Sequence, residues 1–221
     1  MMTRLFDIIL SGLLILLSLP FVIPVMVMLK LTGEHDVFYR QTRVGRYARD
    51  FGLLKFATML RNSPALPGGL YTQKNDPRML PLGGWLRKTK INELPQLLNI
   101  LGGDMSLVGY RPTVREHYAA YPAAARERLF HYRPGLTGLG SIVFRNEEEM
   151  LHEIKDKDYF HNKIIVPYKA ELECWYIEHG CLGIYFALIF LTALVIVFPN
   201  QALWKKFKGL PPVPPELASY I

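Results

Sequence analysis

Residues 85–113 contain the side chains of this sequence that are best suited to chemistry on a charged substrate. Arg87 and Lys88 precede Glu93 by a few positions, and Arg111 follows a glycine-rich loop. A guanidinium binds two phosphate oxygens at once and keeps its charge. Cations crowded beside one carboxylate repel each other unless an anion lies among them. The stretch therefore predicts a site for a phosphate or diphosphate.

Two arginines from more distant segments, Arg133 and Arg145, extend the candidate phosphate-binding set. Taken singly, each of these cations has an alternative to phosphate binding, because it can lie on the surface or pair with Glu116, Glu127 or Glu147. Their joint spacing favours a common anion. We predict that both arginines join the cations of the first stretch around one diphosphate.

A short amphipathic helix is expected to position the carboxylate. Asn92 is a favourable N-cap and Pro95 is tolerated in a first turn, so the helix should begin near Asn92 and present its N–H groups to an anion. Its apolar face then packs on the core, and Glu93 and Gln96 lie nearer the rim. The apolar residues at helical spacing are Leu94, Leu97, Leu98 and Leu101.

These residues resemble the motifs of a known family, the monotopic phosphoglycosyl transferases among the bacterial sugar transferases. Residues 92–97 occupy the family's Asp-Glu-Leu-Pro-Gln-Leu run, and residues 103–112 occupy its Gly-Asp-Met-Ser-Leu-Val-Gly-Pro-Arg-Pro run. The likeness covers about residues 4–145 and is looser beyond them. Further matches at the family's spacing are Gln41, Arg43, Gly45, Lys55, Phe56, residues 133–139 and Arg145.

The resemblance implies an enzyme that transfers a phosphosugar from a nucleotide diphosphate sugar to polyprenol (undecaprenyl) phosphate. This reaction initiates a bacterial surface glycan such as capsule, exopolysaccharide or O-antigen. The resemblance also implies Mg²⁺ held by a carboxylate and the substrate phosphates, with Glu93 and Asp104 as the candidate ligands. The expected location is the cytoplasmic face of the bacterial inner membrane, in contact with membrane lipid.

Position 92 departs from the family pattern, because family members carry an aspartate nucleophile there and this chain carries Asn92. A carboxylate attacks phosphorus and leaves again as an acyl phosphate, which a neutral amide does not do. Three interpretations follow: the sequence is an inactivated variant, Glu93 or another carboxylate performs the chemistry, or the chain binds the same ligands without transfer. We expect retained transfer, with Asn92 and Glu93 at the catalytic positions. Other departures are Ala57, Tyr110 and Ser141.

The competing function is a non-catalytic binding or scaffold protein that recruits glycan-assembly partners. A sugar nucleotide assay separates the two functions, since only the enzyme forms a lipid-linked product and releases a nucleoside monophosphate. A homodimer is compatible with both functions.

The balance of charge favours anionic partners. The chain has 221 residues, a formal net charge of +7 and a pI near 9.4, and 50% of its residues are hydrophobic. Such a length suits one domain with a core. A basic protein attracts phospholipid surfaces, phosphorylated substrates or nucleic acid, and two long apolar runs favour phospholipid. We therefore predict no nucleic-acid partner.

The N-terminal apolar run, residues 8–29, contains no charged side chain and is long enough to cross a bilayer as a helix. Pro20 and Pro24 interrupt its helical pattern, and Ser18 can bond a freed backbone group. We predict a re-entrant helix that enters and leaves by the same face, in preference to a straight span or a signal peptide. Re-entry keeps Arg4 and the basic residues after the run on the cytoplasmic face.

The predicted fold is a single α+β domain, mainly helical, with membrane-associated ends. Brief strands joined by a Gly-Arg turn are expected at residues 37–39 and 51–54. The apolar residues 182–198 predict an interfacial helix in the membrane plane, with a true span or a buried partner interface as alternatives. The expected units are the re-entrant membrane helix 1–32, the catalytic domain 33–180, and the C-terminal membrane-associated helix and Pro-rich tail 181–221.

Overall fold

The protein has a mainly helical α+β fold, as the sequence predicts. The computed structural model describes residues 2–66, 76–152, 154–198 and 202–221. The helices are α1 (Met2–Leu31), α2 (Gly83–Lys88), α3 (Gln96–Gly102), α4 (Arg115–Ala119), α5 (Ala123–Leu129), α6 (Leu139–Val143), α7 (Glu147–His152), α8 (Lys157–Phe160), α9 (Val166–His179) and α10 (Leu182–Val197). The strands are β1 (Phe38–Val44), β2 (Asp50–Phe56), β3 (Ser106–Val108) and β4 (Gly135–Thr137).

Helix α1 packs against the rest of the protein at both ends and is exposed between them. Near its start, Phe6 packs against the main hydrophobic core. Near its end, Val25 and Leu29 are buried together with Phe56 and Leu86. Exposed apolar side chains fill the middle of the helix: Leu13, Leu14, Leu16, Leu17 and Phe21.

Both prolines of α1, Pro20 and Pro24, lie within its helical span. Each proline removes one backbone N–H from the hydrogen-bond ladder. The Ser18 hydroxyl donates to the Ile15 carbonyl at 2.9 Å. Residues Thr3–Leu31 are long and apolar enough to cross a membrane. Re-entry of this helix stays a prediction.

A polar cluster attaches the start of α1 to the globular part of the protein. Asp7 is only 2% exposed and accepts hydrogen bonds from the Ser106 hydroxyl at 2.8 and 2.9 Å, the Leu107 backbone N–H at 2.9 Å and the Tyr185 hydroxyl at 2.8 Å. Ser106 and Leu107 belong to β3, and Tyr185 belongs to α10. One carboxylate therefore joins three elements, and its hydrogen bonds offset the cost of burying it.

Arginines from other segments cap the end of α3. Arg4 donates to the carbonyls of Ile100 at 2.5 Å and Leu101 at 2.9 Å, and Arg133 Nε donates to the carbonyl of Gly103 at 2.7 Å. The last carbonyls of a helix have no donors within the helix and form the negative end of its dipole. The two guanidinium groups supply the missing donors and place positive charge at the negative end of the dipole.

Strands β1 and β2 form an antiparallel hairpin in which Phe38 faces Phe56. The two predicted strands and their turn are confirmed, and both strands are longer than expected. Asn99 of α3 attaches the helix to β2, because its Oδ1 accepts from the Leu54 N–H at 2.9 Å and its Nδ2 donates to the Gly52 carbonyl at 2.8 Å.

Strands β3 and β4 pair in parallel, with Ser106 opposite Gly135. At Gly109, just after β3, an added Cβ would lie 2.6 Å from the Arg133 carbonyl oxygen and 2.9 Å from the Gly135 nitrogen. Only glycine allows the two backbones to approach so closely. This close pairing fixes the chain that leads into Arg111.

Helix α10 packs one face against the domain, although its sequence is apolar all round. Its buried residues are Tyr185, Leu188, Leu191 and Val195. Its Thr192 hydroxyl lies 2.6 Å from the Thr137 hydroxyl of β4. Phe190 and Val197 are 66% and 67% exposed. The helix therefore has one face in the core and one apolar face outside it.

Candidate functional site

The turn that carries Asn92 and Glu93 begins with Lys90, which has a φ of 61°. Ile91–Glu93 form a 3-10 turn, and α3 starts only at Gln96, with Pro95 as its cap. The prediction that Asn92 is the N-cap was wrong. Pro95 cannot donate the hydrogen bond that a continuous α-helix requires, so the chain closes this turn with bonds between residues three apart.

Helix α3 presents polar side chains to the interior. Gln96 and Asn99 are buried, whereas Leu98 and Leu101 are 48% and 37% exposed. The predicted apolar face was wrong for these two leucines, and Gln96 does not lie at the rim; only Leu97 is fully buried as expected. The inward position of Asn99 follows from its two hydrogen bonds to the backbone of β2.

Glu93 and Arg111 form the centre of the site. Arg111 Nη2 lies 2.9 Å from Glu93 Oε1, and the two side chains are 34% and 14% exposed. Burial alone would raise the pKa of Glu93, but the charges of Arg111 and Lys55 outweigh burial and hold this pKa at about 2. Glu93 is therefore a carboxylate at any physiological pH, and it orients the Arg111 guanidinium.

Two cations of the β1–β2 hairpin, Arg43 and Lys55, belong to the same cluster. Burial and then the charge of Arg111 lower the pKa of Arg43 to about 10. Burial and then the charge of Arg43 lower the pKa of Lys55 to about 7. The Arg43 guanidinium also donates to the Pro112 carbonyl at 3.3 Å and the Gln41 Oε1 at 2.7 Å. Positive charges that depress one another's pKa create a field suited to an anion.

The cations that precede Glu93 in the sequence are placed differently from one another. Arg87 contributes to the lowered pKa of Lys55, and its Nη1 lies 3.6 Å from the Met59 sulfur. Lys90 contributes to the lowered pKa of Glu93. Lys88 is exposed. Arg87 thus lies near the cluster, and the phosphate-binding role of Lys88 stays a prediction.

Arg133 and Arg145 have surroundings of their own. Arg133 Nε donates to the Gly103 carbonyl at the end of α3. Burial lowers the pKa of Arg133 most, and the charges of Arg4 and Arg46 lower it further. Burial alone lowers the pKa of Arg145. Arg133 is thus placed at the opposite end of α3 from Glu93, and the phosphate-binding roles of both arginines stay predictions.

The turn supplies oxygen atoms that suit a divalent cation. Asn92 is 7% exposed, and its Oδ1 has no hydrogen-bond partner in the part of the chain that the structure describes. Glu93 bonds Arg111 through one carboxylate oxygen. Mg²⁺ prefers hard oxygen ligands and is completed by substrate phosphates and water. Asn92 and Glu93 thus carry oxygen atoms of the type that Mg²⁺ takes beside substrate phosphates, whereas Asp104 lies beyond the other end of α3, about 10 Å along the helix.

A second buried carboxylate, Glu173 of α9, lies behind Arg111. Glu173 is 1% exposed, and an added Cβ at Gly140 would lie 2.5 Å from its Oε1. Neither of its oxygens has a hydrogen bond among the described residues, although the Arg111 backbone acts to lower its pKa. Burial dominates and raises the pKa of Glu173 to about 8. No motif or periodicity in the sequence marks Glu173 as a site residue.

Glu173→Gln is expected to flatten the pH dependence of stability. The folded-state pKa lies above the unfolded value, so the folded protein binds the extra proton and loses stability as pH rises from about 4.5 to about 8. At about 1.4 kcal/mol per pH unit, the loss amounts to a few kcal/mol. Unfolding in detergent at pH 5 and pH 9 measures it. Glu178→Gln, at an exposed position of α9, should leave the wild-type pH dependence intact. Equal pH dependence in wild type and Glu173→Gln would contradict the prediction.

Comparison with known proteins shows which family the chain resembles. The family described as "Bacterial sugar transferase" matches residues 1–199. "Exopolysaccharide production protein ExoY" of Rhizobium meliloti is 38% identical over an alignment of 161 residues, with 66% of this chain and 71% of the relative covered. "Undecaprenyl-phosphate galactose phosphotransferase" of Salmonella typhimurium is 32% identical over 208 residues, 88% of this chain but 40% of the relative.

A third relative carries a more detailed name. "UDP-glucose:undecaprenyl-phosphate glucose-1-phosphate transferase" of Caulobacter vibrioides is 39% identical over 141 residues, 63% of this chain and 52% of the relative. The matched part thus comprises most of the ExoY protein and about half or less of the two longer relatives.

Proposed function

This chain belongs to the bacterial sugar transferase family, and on that premise we propose that it transfers a phosphosugar from a nucleotide diphosphate sugar to undecaprenyl phosphate. The product begins a bacterial surface glycan. The observation that carries the proposal is the ion pair of Glu93 with Arg111, whose charges act on Arg43 and Lys55 of the hairpin. Relatives named for galactose and glucose transfer make UDP-galactose and UDP-glucose the first donors to test.

The residues of the cluster would bind the donor through its diphosphate. Arg111, held in place by Glu93, would contact phosphate oxygens through its guanidinium, and Arg43 and Lys55 add charge from the hairpin. Phosphoryl transfer depends mainly on positioning and on electrostatic stabilisation of the charge on the phosphoryl oxygens. Fixed cations serve this purpose because they need no rearrangement during the reaction.

Magnesium is the cofactor that we propose for the same site. Asn92 Oδ1 and the Glu93 carboxylate would hold it together with the donor's phosphates. When bound, Mg²⁺ neutralises charge on the departing nucleotide phosphate. The protein's own part is to keep the turn Ile91–Glu93 in place through Lys90 and Pro95.

The proposed location is the cytoplasmic face of the inner membrane, with α1 as a re-entrant helix. Two contacts support re-entry: Asp7 near the start of α1 binds β3, and Leu29 near its end is buried with Phe56 of β2. Both ends thus pack on one domain, while apolar side chains between them are exposed. The exposed face of α10, beginning beside Phe6 at Phe186, would lie at the same membrane surface.

The units follow from this placement. We propose residues 1–32 as the membrane helix, residues 33–180 as the catalytic domain, and residues 181–221 as the C-terminal membrane-associated helix and tail. We also propose that the chain can form a homodimer, because the exposed apolar surfaces of α1 and α10 can contact a second copy as well as lipid.

The decisive experiment is a transfer assay with the full chain in vesicles that contain undecaprenyl phosphate. We expect radiolabel from UDP-galactose or UDP-glucose to enter the lipid fraction, with release of an equal amount of UMP. Labelled lipid should be absent when undecaprenyl phosphate is omitted. If a panel of nucleotide diphosphate sugars yields neither lipid-linked product nor nucleoside monophosphate, the chain is a binding or scaffold protein.

A further inference from the structure

Three arginines meet at the point where α1 begins. Arg4 of α1 donates to the last carbonyls of α3, and Arg133 Nε donates to the carbonyl of Gly103, the residue that follows α3. Arg46 Nε donates to the His131 carbonyl at 2.8 Å, two residues before Arg133. Burial lowers the pKa of Arg133 most, and the positive charges of Arg4 and Arg46 lower it further. The three guanidinium groups therefore form one cationic patch.

Two of these guanidinium groups have hydrogen-bonding capacity to spare. Arg46 and Arg133 each bind a carbonyl through Nε, and their Nη atoms have no hydrogen-bond partner in the part of the chain that the structure describes. No carboxylate among the described residues forms an ion pair with either arginine or with Arg4. Asp7, whose charge acts on Arg133, is already bonded to β3 and α10. Paired N–H groups of a guanidinium suit two oxygens of one phosphate.

Exposed apolar and aromatic side chains adjoin the cationic patch. Tyr47 follows Arg46 in the sequence, Tyr132 precedes Arg133, and both tyrosines are exposed. Three exposed aliphatic side chains follow Arg4 within the first turns of α1: Leu5, Ile8 and Ile9. Arginines and tyrosines beside an apolar surface are typical of a protein region at the depth of lipid headgroups.

The turn that carries Tyr47 has an unfavourable backbone conformation. Tyr47 and Ala48 have φ angles of 59° and 53°, and the Arg49 N–H donates to the Arg46 carbonyl across them. A two-residue turn with positive φ at both positions usually contains Asn-Gly. Tyr47 is nevertheless held there, with its N–H on the Phe130 carbonyl and the Arg46 guanidinium 4.5 Å from its ring centre. Such strain is typical of positions where function requires a particular side chain.

We propose that the cationic patch binds the phosphate group of an anionic phospholipid; the inference rests on the membrane location proposed above. The Nη groups of Arg46 and Arg133 would bind the phosphate oxygens, Arg4 would add charge, and Tyr47 would lie among the headgroups. A zwitterionic lipid also has a phosphate, but its ammonium group cancels the charge. Because the patch lies at one end of α3 and Glu93 at the other, a lipid bound there would hold the Glu93 turn at a fixed distance from the membrane surface.

Native mass spectrometry of the full chain in detergent measures this binding. The protein is titrated with phosphatidylglycerol or with phosphatidylcholine of the same acyl chains, and the bound lipids are counted. We expect the first phosphatidylglycerol to bind about tenfold more tightly than phosphatidylcholine, because several cations act on one anionic headgroup. Arg46→Gln should weaken phosphatidylglycerol binding about fivefold, the effect of one basic residue at an anionic lipid surface.

Arg128→Gln is the matched control for Arg46→Gln. It removes the same charge from an exposed arginine, but that arginine pairs with Glu178, so phosphatidylglycerol binding should stay within about twofold of the wild type. Arg46→Lys keeps the charge without the paired N–H groups and should recover only part of the binding. Arg46 binds a carbonyl outside the helices, so its replacement leaves the arginine caps of α3 intact.

Four outcomes would overturn the inference. Equal binding of the two phospholipids would remove the preference for an anionic headgroup, and equal losses in Arg46→Gln and Arg128→Gln would show a general effect of charge. Displacement of phosphatidylglycerol by inorganic phosphate at equal concentration would indicate a site for free phosphate. Displacement by undecaprenyl phosphate at equal concentration would indicate a site for the acceptor.

This inference and the proposed function fail in different ways. Formation of lipid-linked product by a chain that binds both phospholipids equally would remove only the headgroup site. A preference for phosphatidylglycerol that Arg46→Gln weakens, together with no lipid-linked product from any donor, would support the headgroup site and remove the proposed transfer.

Discussion

Arg111→Ala is expected to lower the rate of phosphosugar transfer about a hundredfold to a thousandfold, the usual effect of removing one fixed group that stabilises transition-state charge. Arg111 is the cation that contacts Glu93 directly, at 2.9 Å, and it also acts on Arg43. Its loss also removes the ion pair that orients the Glu93 carboxylate. The transfer assay in vesicles measures the effect.

Two comparisons make this prediction specific. Arg115→Ala removes a similar ion pair, with Asp50 at 2.7 Å, but both side chains are about half exposed, so transfer should change less than about threefold. Arg111→Lys keeps the charge but not the paired N–H groups, and it should recover only part of the rate. Equal rates for Arg111→Ala and Arg115→Ala would show that Arg111 is not in the catalytic site.

A double-mutant cycle separates the direct role of Arg111 from its pairing with Glu93. Glu93→Gln alone should reduce transfer, and the combination with Arg111→Ala should cost less than the sum of the single effects, because each change already breaks the same ion pair. Additive effects would mean that the two residues act independently.

The local sequence predicts the parts of the site that are close in the chain. Glu93 and Arg111 lie in one stretch, and the 3.6-residue and two-residue periodicities reveal α3 and the hairpin. The two-residue periodicity of the hairpin strands also indicates that Lys55 and Arg43 lie on one face, which is a sign that both belong to the site. The hairpin register places Lys55 opposite Tyr39, and Arg43 lies four residues after Tyr39 on the same face.

Contacts between distant segments cannot be predicted from periodicity, because periodicity reports only which residues share a face of one element. Asn99 looks like a surface residue of an amphipathic helix, but it pairs with the β2 backbone and rotates Leu98 outward. The local sequence of Arg133 gives no sign that its Nε contacts the Gly103 carbonyl at the end of α3. Glu173 gives no local signal at all, since its raised pKa comes from burial against Gly140.

Asp7 is the clearest case of a residue whose importance appears only in three dimensions. In the sequence it is the last charge before an apolar run, whereas in the structure it accepts hydrogen bonds from Ser106, Leu107 and Tyr185. Leu107 lies four residues before Arg111, so the same contact connects α1 to the loop that carries Arg111.

Asp7→Ala is expected to lower the free energy of unfolding by about 3 kcal/mol. The change leaves several buried donors unpaired, at about 1–3 kcal/mol each, but this loss is partly offset because the cost of burying the carboxylate disappears. Tyr185→Phe deletes one donor and leaves the other two bonds, so it should cost only about 1 kcal/mol. Denaturant unfolding in detergent measures both changes.

The matched control for Asp7→Ala is Asp36→Ala. Asp36 pairs with Arg61 at 2.6 Å, but the two side chains are 38% and 73% exposed, so its removal should cost less than about 1 kcal/mol. Because β3 leads into the Arg111 loop, Asp7→Ala should also reduce transfer at temperatures where the protein remains folded, whereas Asp36→Ala should not. Equal losses of stability for the two variants would mean that the Asp7 hydrogen bonds do not hold α1 on the domain.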